Sequence, residues 1–390
     1  MKKFRQAVVI VLIICLAVCM LVGCSGEDKK YFEAVSSYSF WDNEGSQAIA
    51  QYKFYDIMDN FLLQGEIVDG SCVKDGKIRK VLFIGWDGTR ADAMSNLMFD
   101  ANSTDTNEYN YPATEYSGIN RLKSQGGLYL AYAGGEKGTD SEQESSTCAG
   151  FTSELTGGWN TLHGVNHNND VKNTKADTIM LKYAKLGLNT SLAFEWGQYF
   201  DVTLRNEVSY LMENPDTPMV LRDIDRTVAS SNADIMKNEN LKKESDILAV
   251  DLAHYNAVAM TDSLHEYHGY DISMRDYVLD RINSGDDVVG GLFHSIDTNG
   301  HTTGFGNTNP HYVNCIRNAD AYLYTILKAV EQREEDYNED WLVIVTADHG
   351  GSGRGHGLQI YEHRTIWVAS NKSIDPSYFG KGYDGYREQK

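Results

Sequence analysis

Apolar positions along the chain collect into several short continuous runs, separated by polar stretches that carry helical spacing. The clearest run is KVLFIGWDGTRAD, residues 80–92. It stays apolar until Asp87, with Gly85 and Gly88 on either side of the Trp86-Asp87 pair. An unalternating run of this length predicts a strand buried on both faces, here ending in a carboxylate at a glycine turn. Runs at 128–133, 189–196, 287–293 and 341–346 predict further strands. Between them, residues 119–124 predict a short helix. Cys148, Phe151, Thr152 and Leu155 share a helical face that stops at Gly157 and Gly158, and Ile316, Ala319, Leu323, Ile326, Leu327 and Val330 mark an amphipathic helix. Ahead of the first strand, Ala48, Tyr52, Tyr55 and Met58 predict a packing helix over residues 46–63. Strand, loop and helix in alternation predict an α/β fold: a mainly parallel central sheet with helices on both faces.

Two stretches depart from this alternation. Residues 100–115 are dense in Asn, Asp and Thr and read as loop. The segment from 199 to 286 is more polar and helical, and reads as a helical insertion or cap over about 200–286. Its His254, His265 and His268 read as surface or structural residues.

The first 24 residues are of another kind: Lys2, Lys3 and Arg5, an apolar run of 16 residues, then Leu-Val-Gly-Cys24. Basic, apolar, then small is the order of a secretory signal, and the run is short for a membrane span. The ending resembles a bacterial lipoprotein lipobox, which implies cleavage before Cys24 and a lipid on its sulfur; the alternative is an uncleaved anchor. Either way the rest is expected outside the cytoplasm, tethered to a bacterial membrane. The expected organisation is a signal over 1–23, a tether and N-terminal packing segment over 24–79, and one large domain over 80–390.

Composition narrows the function. The formal charge of −20 becomes more negative once the basic signal is removed, and such a surface repels nucleic acid, so no nucleic-acid partner is expected. Outside the signal and Cys24, the cysteines are Cys72, Cys148 and Cys315, which permit one disulfide at most and form no metal knuckle.

Three predicted strands end in ligand-capable residues: Asp87; Asp297 with His301; and Asp348 with His349. One strand-end Asp is ordinary turn chemistry, but three such ends at one sheet edge predict a metal centre. Mixed Asp and His ligands without Cys suit zinc, with manganese as the other candidate. Thr147, at the start of a predicted helix, is either an N-cap or a residue beside a phosphate bound at the helix N-terminus.

The order Asp-Gly-x-Arg-x-Asp, then Thr147 with Thr156-Gly157 and His163-Gly164 behind it, then Asp297-x-x-x-His301, then Asp348-His349-Gly350, resembles the alkaline phosphatase superfamily. It is most similar to the type I phosphodiesterase/nucleotide pyrophosphatase branch, and the resemblance runs over about residues 80–369. It implies a hydrolase of small phosphate esters with two divalent metal ions. Thr147 would be the nucleophile, counted back from Thr156; Asp87, Thr147, Asp348 and His349 would surround one ion; Asp297 and His301 would hold the other. His356 is the expected third ligand of the second ion, with His363 and His311 as substitutes, while His163 and His167 are expected to shape turns. Two departures stand out. Gly150 occupies the position where that branch carries a phosphate-binding Asn, which leaves Arg90 and Arg354 as candidate phosphate contacts, and the final strand-helix unit looks shortened or missing. Cys148 is not followed by the Cys-x-Pro-x-Arg pattern of sulfatases, which makes a sulfatase-like hydrolase the lesser alternative. A retired, surface-binding protein on the same fold is the other.

Overall fold

The computed structural model describes residues 30–43, 47–97, 117–170, 175–224 and 268–380. The signal, Cys24, residues 100–115, His254, His265 and the side chain of His268 lie outside the described residues.

The chain folds as α/β around one 11-stranded sheet, mostly parallel and flanked by helices. The strands are β1 (Ala48–Ala50), β2 (Glu66–Val68), β3 (Ser71–Lys74), β4 (Lys77–Trp86), β5 (Gly127–Tyr132), β6 (Thr190–Phe194), β7 (Met219–Asp223), β8 (Val288–Phe293), β9 (Glu339–Thr346), β10 (Thr365–Ser370) and β11 (Phe379–Gly380). Their order is β11-β1-β5-β10-β9-β4-β8-β6-β7, and β2 and β3 form a hairpin that pairs with β4. The stretch β9-β4-β8-β6-β7 is parallel throughout. β10 is antiparallel to both β5 and β9, so β5 runs in the direction of the parallel block. As a result, β5, β9, β4, β8 and β6 all end at one edge of the sheet.

Two adjacent glycines in β8 show how the faces are covered. A Cβ on Gly290 would meet Met180 of helix Ile179–Lys185, whereas one on Gly291 would meet Val278 and Met274 of helix His268–Asn283. Successive side chains of a strand point to opposite faces, so these helices lie on opposite sides. Helix Pro310–Tyr337 packs beside His268–Asn283, and helix Thr147–Thr156 lies on the other face, where the Phe151 ring occupies the space above Gly85. Val81 to Trp86 of the central strand β4 are buried on both faces, as the unbroken apolar run requires.

Two sequence expectations change. The helix expected over 46–63 begins only at Lys53, because Ala48–Ala50 forms a strand between β5 and β11. Part of the supposed insertion belongs to the core instead: Met219–Asp223 is the edge strand of the sheet, and Met274, Val278 and Ile282 of helix His268–Asn283 are buried against it. The three described cysteines are buried and in no disulfide, within the limit of one bridge at most.

Candidate metal centre at the carboxyl edge of the sheet

Asp87 follows the last residue of β4 and is fully buried. The turn behind it is specified twice over at Gly88. Its φ of +68° favours glycine, and a Cβ there would stand 2.6 Å from Asp297 Oδ1. Tyr312 of helix Pro310–Tyr337 pins the same turn, donating to Gly88 O at 2.6 Å and accepting from Arg90 N at 3.0 Å.

Thr147 is the first residue of helix Thr147–Thr156; Ser146, in extended conformation, is the N-cap residue, which corrects the N-cap reading of Thr147. Thr147 Oγ1 lies 3.3 Å from Asp87 Oδ1 and 3.2 Å from His349 Nε2. His349 Nε2 is 3.3 Å from Asp87 Oδ1 and 3.4 Å from Asp348 Oδ2. Gly88 N donates to Asp348 Oδ1 at 3.0 Å. Asp297 and His301 occupy successive turns of helix Ser295–Thr303, with His301 Nε2 3.3 Å from Asp297 Oδ2. The Gly-rich loop after β9 pairs Gly353 with Phe305 and returns His356 onto His349, their rings 3.9 Å apart, with His356 Nε2 3.7 Å from Asp297 Oδ1.

These atoms fit divalent cations. Ligand atoms about 2.0–2.2 Å from a tetrahedral ion stand roughly 3.3–3.6 Å from one another. Asp87, Asp297 and His349 form one ligand-capable group, and Asp297, His301 and His356 another, so the Asp297 carboxylate lies between the two. His349 Nδ1–H donates to Gly350 O and His301 Nδ1–H to Arg354 O; a carbonyl can only accept, so each Nε2 is turned inward. Asp297 Oδ1 and Asp348 Oδ2 are buried without a hydrogen-bond donor.

The charge balance agrees. Burial alone would raise the Asp87 carboxyl, but His294 and His349 beside it hold it far below the usual carboxylate range. Asp348 is pushed well upward by burial and by the Asp87 charge, so the centre is short of positive charge. Its hydrogen bond to Asp297 raises His301 to about 9, and burial lowers His356 to about 4, leaving the latter a neutral imidazole.

Other candidates are engaged elsewhere. The Arg90 guanidinium is engaged in this structure, binding Asp92 through two 2.8 Å bonds and donating to Gly351 O at 2.7 Å. Arg354 is exposed and supports His301 through its carbonyl. His363 accepts from Leu358 N and contacts Ser352, which fixes the loop, and His311 belongs to neither ligand group. His163 accepts from Val165 N and contacts Ser153, and His167 pairs with Asp170. Cys148 packs with Ala149, Val165 and Val202, and burial raises its thiol far out of the reactive range. Gly150 has a packing cause: a Cβ would lie 2.8 Å from both Asp348 Cβ and Asp348 O.

Two residues at the centre carry no motif. His294 follows β8 directly and contacts Asp87 Oδ2 at 2.5 Å; Tyr199, beyond β6, donates to the same oxygen at 3.3 Å. The signal for His294 was its position at the end of the strand beside β4; Tyr199 had none.

No protein-family model matches the chain, and no curated relative matches it. Among solved structures, it is similar to phosphonoacetate hydrolase from Sinorhizobium meliloti 1021 at 12% identity and a TM-score of 0.44, over 73% of this chain and 60% of that one. Alkaline phosphatase from the Antarctic bacterium TAB5 matches at 15% identity and a TM-score of 0.39, over 75% of this chain and 90% of that one. Murine ectonucleotide pyrophosphatase/phosphodiesterase 5 matches at 13% identity and a TM-score of 0.36, over 70% and 57%. The chain thus spans less than two thirds of the first and third of these proteins.

Proposed function

We propose that this chain is an exported, metal-dependent hydrolase of phosphate esters, of the phosphodiesterase or phosphatase type, with Thr147 as nucleophile. The observation that carries the reading is the convergence of Thr147 Oγ1, Asp87 Oδ1, His349 Nε2 and Asp348 Oδ2, with neighbouring contacts of 3.2–3.4 Å, at the N-terminus of a buried helix. Asp87, Thr147, Asp348 and His349 would hold one divalent ion, zinc or manganese, and Asp297, His301 and His356 the other. When bound, such ions lower the pKa of coordinated hydroxyls and neutralise charge on the phosphoryl oxygens.

The chain's own residues supply the rest. The Thr147 hydroxyl has a proton acceptor beside it at Asp87 Oδ1, a carboxylate oxygen that keeps a lone pair when it ligates an ion, whereas His349 Nε2 would be taken up by the ion. Its Oγ1 would form a bond to phosphorus as the ester oxygen leaves with its electron pair, and water would then cleave the phosphothreonine. The positive end of helix Thr147–Thr156 favours the negative charge that builds up beside Thr147. The acidic chain suits a small ester better than a nucleic acid.

The test is turnover of nitrophenyl phosphate mono- and diesters by zinc-loaded protein. Activity should disappear with chelator and return with zinc, and Thr147→Ala should lower it by at least about a thousandfold. Absence of turnover of both esters by metal-loaded protein would sink the reading. Tethering through a lipid on Cys24 is part of the proposal; Cys24→Ala should move the protein out of the membrane fraction or leave it unprocessed.

A further inference from the structure

The two oxygens of Asp87 face different partners. Oδ1 is turned toward Thr147 Oγ1 and His349 Nε2, at 3.3 Å from each. Oδ2 is turned away and meets His294 Nδ1 at 2.5 Å and the Tyr199 hydroxyl at 3.3 Å. Both partners are held independently of Asp87. The His294 ring stacks on Trp196, with centroids 5.4 Å apart and planes 6° from parallel, and its backbone N–H donates to Glu195 Oε2 at 2.9 Å. Tyr199 is fully buried, with its ring against Phe151, Phe194 and Trp196.

We infer that His294 and Tyr199 are positioning residues that occupy Asp87 Oδ2, making Asp87 a one-oxygen ligand and reserving the neighbouring coordination position for Thr147 Oγ1. The inference rests on the metal-centre reading above. A carboxylate is free to bind a cation through one oxygen or through both. With Oδ2 released, rotation of Asp87 would bring a second oxygen to the ion that Thr147 must also reach, while outer partners of a ligand typically change metal affinity 10- to 100-fold. Neither residue touches the reacting atoms, so their effect passes through Asp87.

The experiment measures zinc affinity by chelator competition, and the visible spectrum of the cobalt(II)-substituted protein, in wild type, His294→Leu, His294→Asn and Tyr199→Phe. The leucine variant keeps bulk without a donor, and should lose about 10- to 100-fold in affinity for one ion of the two and change the cobalt absorption. The amide nitrogen of asparagine falls close to the imidazole Nδ1 position, so His294→Asn should recover most of both. Tyr199→Phe should show a smaller loss of the same sign, and it tests the inference independently if the leucine variant does not fold.

Wild-type affinity and spectrum in both His294→Leu and Tyr199→Phe would overturn the inference. So would an asparagine variant as weak as leucine, which would show that the ring and not the Nδ1–H is needed. If wild-type protein bound neither zinc nor cobalt, the metal-centre reading itself would fall; two tightly bound ions with unaffected variants would remove the clamp alone.

Discussion

At the scale of single residues, the centre is defined by how little space its backbone leaves. Gly150 illustrates the balance. Replacing a helical glycine with alanine normally gains about 1 kcal/mol of helix propensity. Here the new Cβ would stand 2.8 Å from Asp348 Cβ and from the Asp348 carbonyl oxygen, and a backbone oxygen cannot step aside as a flexible side chain can. Overpacking of this sort costs about 1–3 kcal/mol, enough to cancel the gain or exceed it. Gly150→Ala should therefore fail to stabilise the protein in urea unfolding and should weaken zinc binding, since the helix that carries Thr147 must move away from Asp348. A variant more stable than wild type, with unchanged zinc affinity, would show that the helix has room to spare. The same crowding means that any side chain at position 150 needs the helix or Asp348 to shift.

At the scale of elements, the junction between helices Gly118–Gln125 and Pro310–Tyr337 makes a pH-dependent contribution. Asp320 of the long helix is buried and accepts from Ile119 N at 2.7 Å, at the first turn of the short one. Burial raises its carboxyl to about 7, against about 3.9 in an unfolded chain. Between those values the folded state binds the proton and the unfolded state does not. Stability from this group is thus fully present below about pH 4 and falls as pH rises toward 7, by an amount on the order of a few kcal/mol. Asp320→Asn keeps the acceptor and removes the charge, so urea unfolding with chelator present should lose less stability between pH 4 and 7 than wild type. Parallel curves would rule the assignment out. Sequence periodicity made both helices legible, though not their pairing, because long apolar stripes and unbroken strands carry their own signal. It did not find β1, whose three residues are too few to make a pattern, nor β7 and β10, which are as long as strands that were read but are defined by the neighbours they pair with. Likewise Asp87, Asp297, His301, Asp348 and His349 stood out by type and spacing, and Thr147 and His356 through the family resemblance. His294 and Tyr199 gained their places from the parallel pairing of β6 and β8, which sets Phe194 beside Leu292, and spacing along the chain does not record that.

At the scale of the whole molecule, the sheet separates what holds the fold together from what is assembled at its carboxyl edge. Lys80, the fourth residue of β4, lies toward the opposite end, seven residues before Asp87, or about 23 Å along an extended strand. Its ammonium group is buried and lies 2.8 Å from Asp287 Oδ1, 2.8 Å from Gly285 O and 3.7 Å from Glu339 Oε1, and Arg333 closes on Glu339 from the far side. This network ties β4, β8 and β9 together at the end where, among the described residues, no ligand group lies. Removing one member of a buried ion network leaves uncompensated charge and typically costs about 3–5 kcal/mol. Lys80→Met, which keeps the length of the stem, should lower stability by that order in urea unfolding. Distance and the rigidity of a packed sheet confine the damage, so the folded variant should bind zinc with wild-type stoichiometry and affinity below its unfolding transition. Loss of zinc binding in protein that is still folded would mean that the register of β4 against β8 and β9, and not only the ligands beyond their ends, sets the spacing of the metal centre.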